Sequence, residues 1–167
     1  MPPRTRGKHD LDGPAGALMG VAPLVSRWME RLLASHEPPL RLGQYLALRA
    51  IDRESLGASE LARRTGVSGP AVSQLIAGLV EQSLVEQKPA TGDRRRQELT
   101  LSAAGRKALR SATKAMQSEL AGLMTDLPKP EADALSRGLP VVEALLSGAP
   151  PPRRPHPPPP PPGPKRR

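Results

Sequence analysis

Apolar residues recur every three or four positions over most of the first 147 residues, a spacing that predicts amphipathic helices. Six helices are expected, at about 14–35, 42–51, 58–65, 69–82, 103–127 and 131–146. Pro38 follows the first helix and Pro128 the fifth, and a proline ring cannot continue a helix. Pro140 falls inside the last helix and predicts a kink or a shortened helix there.

The pattern changes between positions 84 and 101. Residues 84–89 (LVEQKP) and 94–101 (RRRQELTL) alternate apolar and polar side chains, as half-buried strands do. Residues 90–93 (ATGD) have turn composition. We therefore expect a β-hairpin with a basic tip. Ser102 is placed to cap the long helix that follows, and Leu56 is a candidate for a further short strand.

Residues 58–84 (ASELARRTGVSGPAVSQLIAGLVEQSL) have the pattern of two helices joined by a tight turn. Gly66 can take the left-handed turn, Ser68 can cap the second helix, and Pro70 falls in its first turn. The inner face of the second helix is apolar: Val72, Leu75, Ile76 and Leu79. Its outer face is small and uncharged: Ser68, Gly69, Ala71, Ser73 and Gln74. These are the parts of a helix-turn-helix, and such a face can approach base edges in a major groove.

Composition narrows the class of protein. Phe and Cys are absent and there is one Trp and one Tyr, so the core must be aliphatic, which suits helices. The lack of Cys excludes disulfides, thiolate metal sites and a thiol redox sensor. The sequence has no run of 18 apolar residues and no apolar signal core. We therefore expect a cytoplasmic protein with no membrane partner.

The net charge of +9 is unevenly distributed. Residues 1–8 and 148–167 carry eight basic side chains and no acid, and the second segment holds 11 of the 22 prolines. We expect a disordered basic arm at 1–13 and a disordered, Pro-rich basic tail at 148–167. Between them, residues 88–110 carry seven basic side chains against two acids, which is typical of a duplex-binding surface.

The order of helix, helix, helix-turn-helix, hairpin, long helix and short helix resembles the multiple-antibiotic-resistance regulator (MarR) family of bacterial transcription factors. The resemblance covers about residues 18–146 and is carried by SELARRTGVSGPAVSQLIAGLVEQSLVEQKP and GDRRRQELTLSAAG. In the second motif Asp93, Arg95, Leu101 and Gly105 keep the family's spacing.

The resemblance implies a mainly α fold with a small β-hairpin wing, formed by residues 14–147. The winged helix-turn-helix would occupy about 40–101, and helices at about 14–37 and 103–147 would mediate dimerisation. It implies a non-enzymatic, sequence-specific transcription regulator: a homodimer on an inverted-repeat operator in double-stranded DNA, and a repressor released by a small aromatic effector. No cofactor and no metal are implied.

The resemblance also assigns residues to the DNA. The helix-turn-helix would meet the major groove or its phosphates through Ser68, Gly69, Pro70, Ala71, Ser73 and Gln74. The wing would enter the minor groove with Arg94 and Arg95, the latter oriented by Asp93, and guanidinium groups suit a narrow electronegative groove. Many relatives carry arginine or a bulkier polar group at Gly69 and Gln74, so their base contacts cannot be transferred.

Two further expectations concern single residues. Ser83 stands where a glycine often ends the recognition helix, and it is expected to bear left-handed strain. Relatives often bind aromatic or phenolic acids beside the dimer helices, and the candidates for such a pocket are Trp28, Tyr45 and Met116, with Arg27 and Arg49 near them in sequence. The three pocket candidates fit equally well as core or dimer contacts.

Motifs for catalysis are missing from the sequence. His9, His36 and His156 are far apart, and there is no phosphate loop or nucleophile elbow. We interpret His36 as a surface residue at a helix end rather than a ligand. One alternative function remains open: an architectural or partner-recruiting protein whose basic tails bind DNA generally and whose prolines dock another protein.

Overall fold

The elements of the computed structural model follow one another in the predicted order. The helices are α1 (Pro14–Ala34), α2 (Leu42–Arg53), α3 (Ala58–Thr65), α4 (Gly69–Glu81), α5 (Ala103–Leu123) and α6 (Lys129–Ser147), and the strands are β1 (Val85–Ala90) and β2 (Asp93–Leu101). The structure describes residues 13–54, 56–65, 67–90 and 93–148, with residues 65, 90 and 93–96 described by their backbone alone. The predicted arm and tail lie, apart from Gly13 and Gly148, outside the described residues.

The long helix α5 ends at Leu123, about one turn before the predicted end at 127. The residues that follow wind more tightly, because Met124 N donates to Ala121 O (3.1 Å) and Leu127 N donates to Met124 O (3.1 Å). Such three-residue turns often close a helix.

The last helix, α6, begins at Lys129, two residues earlier than predicted. Pro130 fits in its first turn, where the missing N–H has no partner to lose. The helix then continues through Pro140 to Ser147. Of the two outcomes predicted at Pro140, the shortened helix is therefore wrong.

The chain divides into two units, Met1–Leu120 and Ala121–Arg167. The first contains α1 to α4, the hairpin and most of α5 around one aliphatic core. Six of its side chains are less than 2% exposed: Leu33, Leu48, Leu61, Leu79, Leu99 and Val72. Burial of each such side chain stabilises the fold by about 1.5–3 kcal/mol.

The hairpin is antiparallel and pairs from Val85–Leu101 to Pro89–Gln97. The next pair is Ala90–Asp93, so residues 94–96 of β2 bulge out of the ladder. At the base of the hairpin, Leu99 N donates to Leu56 O (2.8 Å), which confirms a bridge at Leu56 and ties the wing to the core.

Both predictions at the two serines beside the hairpin are confirmed. Ser83 ends the α4 segment with φ of 55°, in the left-handed region that favours glycine. Ser102 caps α5, because its Oγ accepts the N–H of Gly105 (2.9 Å).

Candidate DNA-binding surface

Helix α4 shows two different faces. Val72, Ile76 and Leu79 are at most 3% exposed and attach the helix to the core. The opposite face is exposed along the whole predicted set: Ser68, Gly69, Pro70, Ala71, Ser73 and Gln74. The structure therefore brings all six helix-turn-helix candidates together on one solvent-facing surface, and none of the six carries a charge.

Two hydroxyl groups on this surface differ in their local bonds. Ser68 occupies the N-cap position of α4, but its side chain makes no capping hydrogen bond, contrary to the cap predicted from sequence. The Ser73 hydroxyl donates to Gly69 O (3.0 Å), a bond to its own helix that costs little to exchange. The Ser68 hydroxyl is exposed to solvent.

Gln74 lies on the rim of an open groove of about 730 Å³ between the start of α2 and α4. Gln44 crosses this groove: its Nε2 donates to Gln82 Oε1 (3.3 Å), and its Oε1 accepts the N–H of Arg41 (2.9 Å). The sequence pattern did not indicate Gln44, because a single polar residue on a helix face carries no periodic signal. Its bonds connect the first turn of α2 to the end of α4.

Helix α3 carries an ion-pair network that the sequence analysis missed. The Glu60 carboxylate accepts from Arg63 Nη2 (2.6 Å) and from Arg64 Nε (2.7 Å), and Arg64 Nη2 also lies 2.5 Å from Glu54 Oε1. These hydrogen bonds from the two guanidinium groups lower the pKa of Glu60 to about 2. The spacing of three and four residues between Glu60 and its partners is the signal that could have revealed it.

The wing residues assigned to the minor groove can be placed only by their backbone. Asp93 begins β2, and Arg94 and Arg95 belong to its bulge. Their side chains lie outside the described part of the chain. The bulge was not predicted, since a register shift depends on the partner strand as well as on the residues that carry it.

The three effector candidates occupy different surroundings. Tyr45 and Met116 are core side chains, 2% and 6% exposed, and Tyr45 Oη lies 3.1 Å from Thr113 Oγ1. Trp28 is half-buried and lines a surface recess of about 450 Å³ together with Leu24, Arg27 and Arg31. Arg49 is not among the residues that line this recess, and its guanidinium carbon lies 5.9 Å from the centre of the Tyr45 ring.

His36 makes a structural link. Its Nδ1 donates to Pro38 O (2.9 Å), because a carbonyl can only accept, and its Nε2 lies 2.9 Å from Ser111 Oγ. The ring thereby joins the loop after α1 to α5. Among the described residues, no three His, Asp or Glu side chains are arranged to hold a metal ion. None of the helices in that part of the chain is long and apolar enough to cross a membrane.

A helix-turn-helix whose second helix presents an exposed polar face, followed by an antiparallel hairpin, defines a winged helix-turn-helix DNA-binding protein. Residues 38–96 match the model of the MarR family. The chain is 28% identical over 143 residues to an uncharacterised HTH-type transcriptional regulator of Mycobacterium bovis, covering 84% of this chain and 99% of the relative. These matches confirm the resemblance to the MarR family of transcription regulators that was seen in the sequence.

Solved structures share the fold. Rv1404 of Mycobacterium tuberculosis superposes with a TM-score of 0.74 at 22% identity, covering 87% of this chain and 99% of that one. A Staphylococcus aureus MepR mutant bound to an oligodeoxyribonucleotide has a TM-score of 0.57 at 18% identity, covering 80% and 96%. A MarR of the same organism in complex with salicylate and kanamycin has a TM-score of 0.65 at 17% identity, covering 80% and 90%.

Proposed function

We propose that the protein is a homodimeric, sequence-specific repressor that binds an inverted-repeat operator and is released by a small aromatic acid. The observation that carries the DNA-binding mode is the exposed, uncharged outer face of α4 beside the arginine-bearing wing. A small polar face admits close approach to base edges, whereas a charged one would favour phosphates without regard to sequence. Arg94 and Arg95, with Asp93 beside them, supply the minor-groove contact.

Exposed apolar side chains on the terminal helices support the dimer. On α1, Met19 is 72% and Leu24 58% exposed, and on α6 Leu145 and Leu146 are 72% and 75% exposed. Large apolar side chains that are exposed together in this way are typical of a protein–protein interface. In a two-fold dimer the two α4 helices would lie about 34 Å apart, one duplex turn, and would require an inverted repeat.

Two measurements on the full chain test this proposal. Sedimentation at micromolar concentration should give a dimer, and a monomer would contradict it. Footprinting on the DNA upstream of its own gene should reveal a protected inverted repeat. The affinity ratio of that site to bulk DNA should persist at high salt, because base contacts do not release counterions. A ratio near one would favour the architectural alternative.

The recess at Trp28 supports the effector class. An indole beside the guanidinium groups of Arg27 and Arg31 can stack on an aromatic ring and pair with a carboxylate. A panel of small aromatic acids should raise the thermal midpoint of the wild type and weaken its operator binding. Arg27→Ala should remove both effects. Arg49 does not line the recess, so Arg49→Ala should respond to the acids as the wild type does. If both variants respond alike, the recess is not the site.

A further inference from the structure

We propose that Ser102 is a positioning residue. It holds the recognition helix α4 at a defined angle to α5, and it thereby sets the number of base pairs between the half-sites that the dimer selects. This rests on the proposed dimeric, inverted-repeat function, since spacing has a meaning only for two linked recognition helices.

No flexible linker separates the end of α4 from the wing. Leu84 N donates to Leu79 O (2.9 Å) and Ser83 N donates to Val80 O (2.8 Å), with Ser83 in the left-handed conformation. These bonds form a Schellman motif, in which the chain reverses within two residues. Val85 then begins β1 directly, so the backbone of residues 83–84 determines where α4 points.

Ser102 holds both carbonyl groups of that short segment. Its hydroxyl donates to Ser83 O (2.6 Å), and its backbone N–H donates to Leu84 O (3.1 Å). The same hydroxyl oxygen accepts the N–H of Gly105 in the first turn of α5 (2.9 Å). One side chain therefore connects the end of α4 to the start of α5.

Gly105 lets the two backbones touch. A Cβ at this position would lie 1.9 Å from Leu84 O and 2.9 Å from Leu84 C, closer than atoms can approach. The first turn of α5 thus rests on the main chain of Leu84 with no side chain between them. We call the contact between these two backbones the joint; it comprises Ser83, Leu84, Ser102 and Gly105. Because main chain packs directly on main chain there, no side chain can change rotamer to let one helix rotate against the other, and the joint is stiff.

The stiffness has a consequence for the operator. In the proposed dimer α5 belongs to the dimerisation part, so the angle at the joint sets where each α4 meets the duplex. Adding one base pair to the spacer moves a half-site by about 3.4 Å and turns it by about 34°. A stiff joint selects one spacer length, whereas a loosened joint accepts its neighbours as well.

The experiment compares the affinities of full-length proteins for three operators, with the best spacer and with one base pair fewer or more. Ser102→Ala removes the bonds to Ser83 O and to the Gly105 N–H, and Ser102→Thr keeps the hydroxyl. Ile51→Val is the stability control, because it lightens the core in α2 without touching the joint. Ser102→Gly replaces Ser102→Ala if the latter fails to fold, since glycine is tolerated at an N-cap and equally lacks the hydroxyl.

Wild type, Ser102→Thr and Ile51→Val should each lose about ten-fold in affinity per base pair of wrong spacer, comparable to a mismatched base pair. The variant without the hydroxyl should lose less than about three-fold, or prefer a different spacer. If it keeps the wild-type profile, whatever its overall affinity, Ser102 is only a helix cap and the proposal is overturned. A profile that is flat already in the wild type would instead overturn the inverted-repeat function, and this proposal with it.

Discussion

Gln74 is the residue of α4 best suited to distinguish one base pair from another. Its amide is exposed on the outer face and can bond an adenine edge through two hydrogen bonds. Gln74→Ala should weaken binding to the preferred site by about 1–3 kcal/mol and relax the preference at one base pair of each half-site. Binding to a set of single-base operator variants measures both effects. Gln117→Ala, the same change on α5, should leave them untouched.

Asp93 offers a test whose sign separates two mechanisms. Removing a negative charge near DNA should tighten binding if only long-range electrostatics matters, whereas loss of an orienting partner for Arg95 should weaken it. We expect weaker binding for Asp93→Ala and, for Arg95→Ala, a salt dependence lower by about one unit per subunit. The double mutant should be no weaker than Arg95→Ala alone. Tighter binding by Asp93→Ala without coupling would remove the orienting role.

At the scale of elements, Gly105 tests the close contact between the first turn of α5 and the end of α4. Gly105→Ala places a methyl group against the Leu84 main chain, which cannot move aside without shifting the wing. We expect a loss of stability of about 3 kcal/mol, the upper end for overpacking, measured by denaturant unfolding. Gly43→Ala in α2 meets no atom within 4 Å and should be neutral or stabilising. Equal effects of the two changes would contradict the close contact.

The α3 network predicts a pH dependence. Because the folded pKa of Glu60 is lowered to about 2, its carboxylate contributes stability above the unfolded pKa near 4.5 and loses it as the pH falls towards 2. The difference in thermal midpoint between wild type and Glu60→Gln should therefore be constant above pH 5 and shrink below 4.5. The effect should be small, since the network is exposed to solvent. Glu143→Gln on α6 is the control, and a gap that widens in acid would refute the assignment.

Features that depend on residues close together in sequence could be predicted, and features that arise between two elements could not. The helix-turn-helix, the hairpin, the Ser102 cap and the strain at Ser83 each follow from residues close together in sequence. The bulge in β2 and the groove crossed by Gln44 arise between elements, and no pattern within one element indicates them. For the same reason the sequence could not decide whether Tyr45 lines an effector pocket or belongs to the core. Its side chain is buried in the core.

At the scale of the whole molecule, charge outside the helices should change how strongly the protein binds rather than which site it prefers. Deleting residues 148–167 removes five positive charges. We expect weaker binding to all DNA by a similar factor and a flatter salt dependence, with the thermal midpoint and the dimer unchanged. Affinities for the operator and for random DNA at two salt concentrations measure this. A changed site preference after deletion would show that the tail takes part in specificity.

The bulge in β2 also bears on how such a regulator can acquire new targets. The pairs from Val85–Leu101 to Pro89–Gln97 anchor the base of the wing, and Leu99 and Leu101 fill the core below it. Residues 93–96 of β2 lie beyond this anchor, so they can be exchanged without shifting any core side chain to the other face of the strand. Exchanges in this segment are thus open to evolution, and to a protein engineer, while the recognition helix α4 keeps its position on the core.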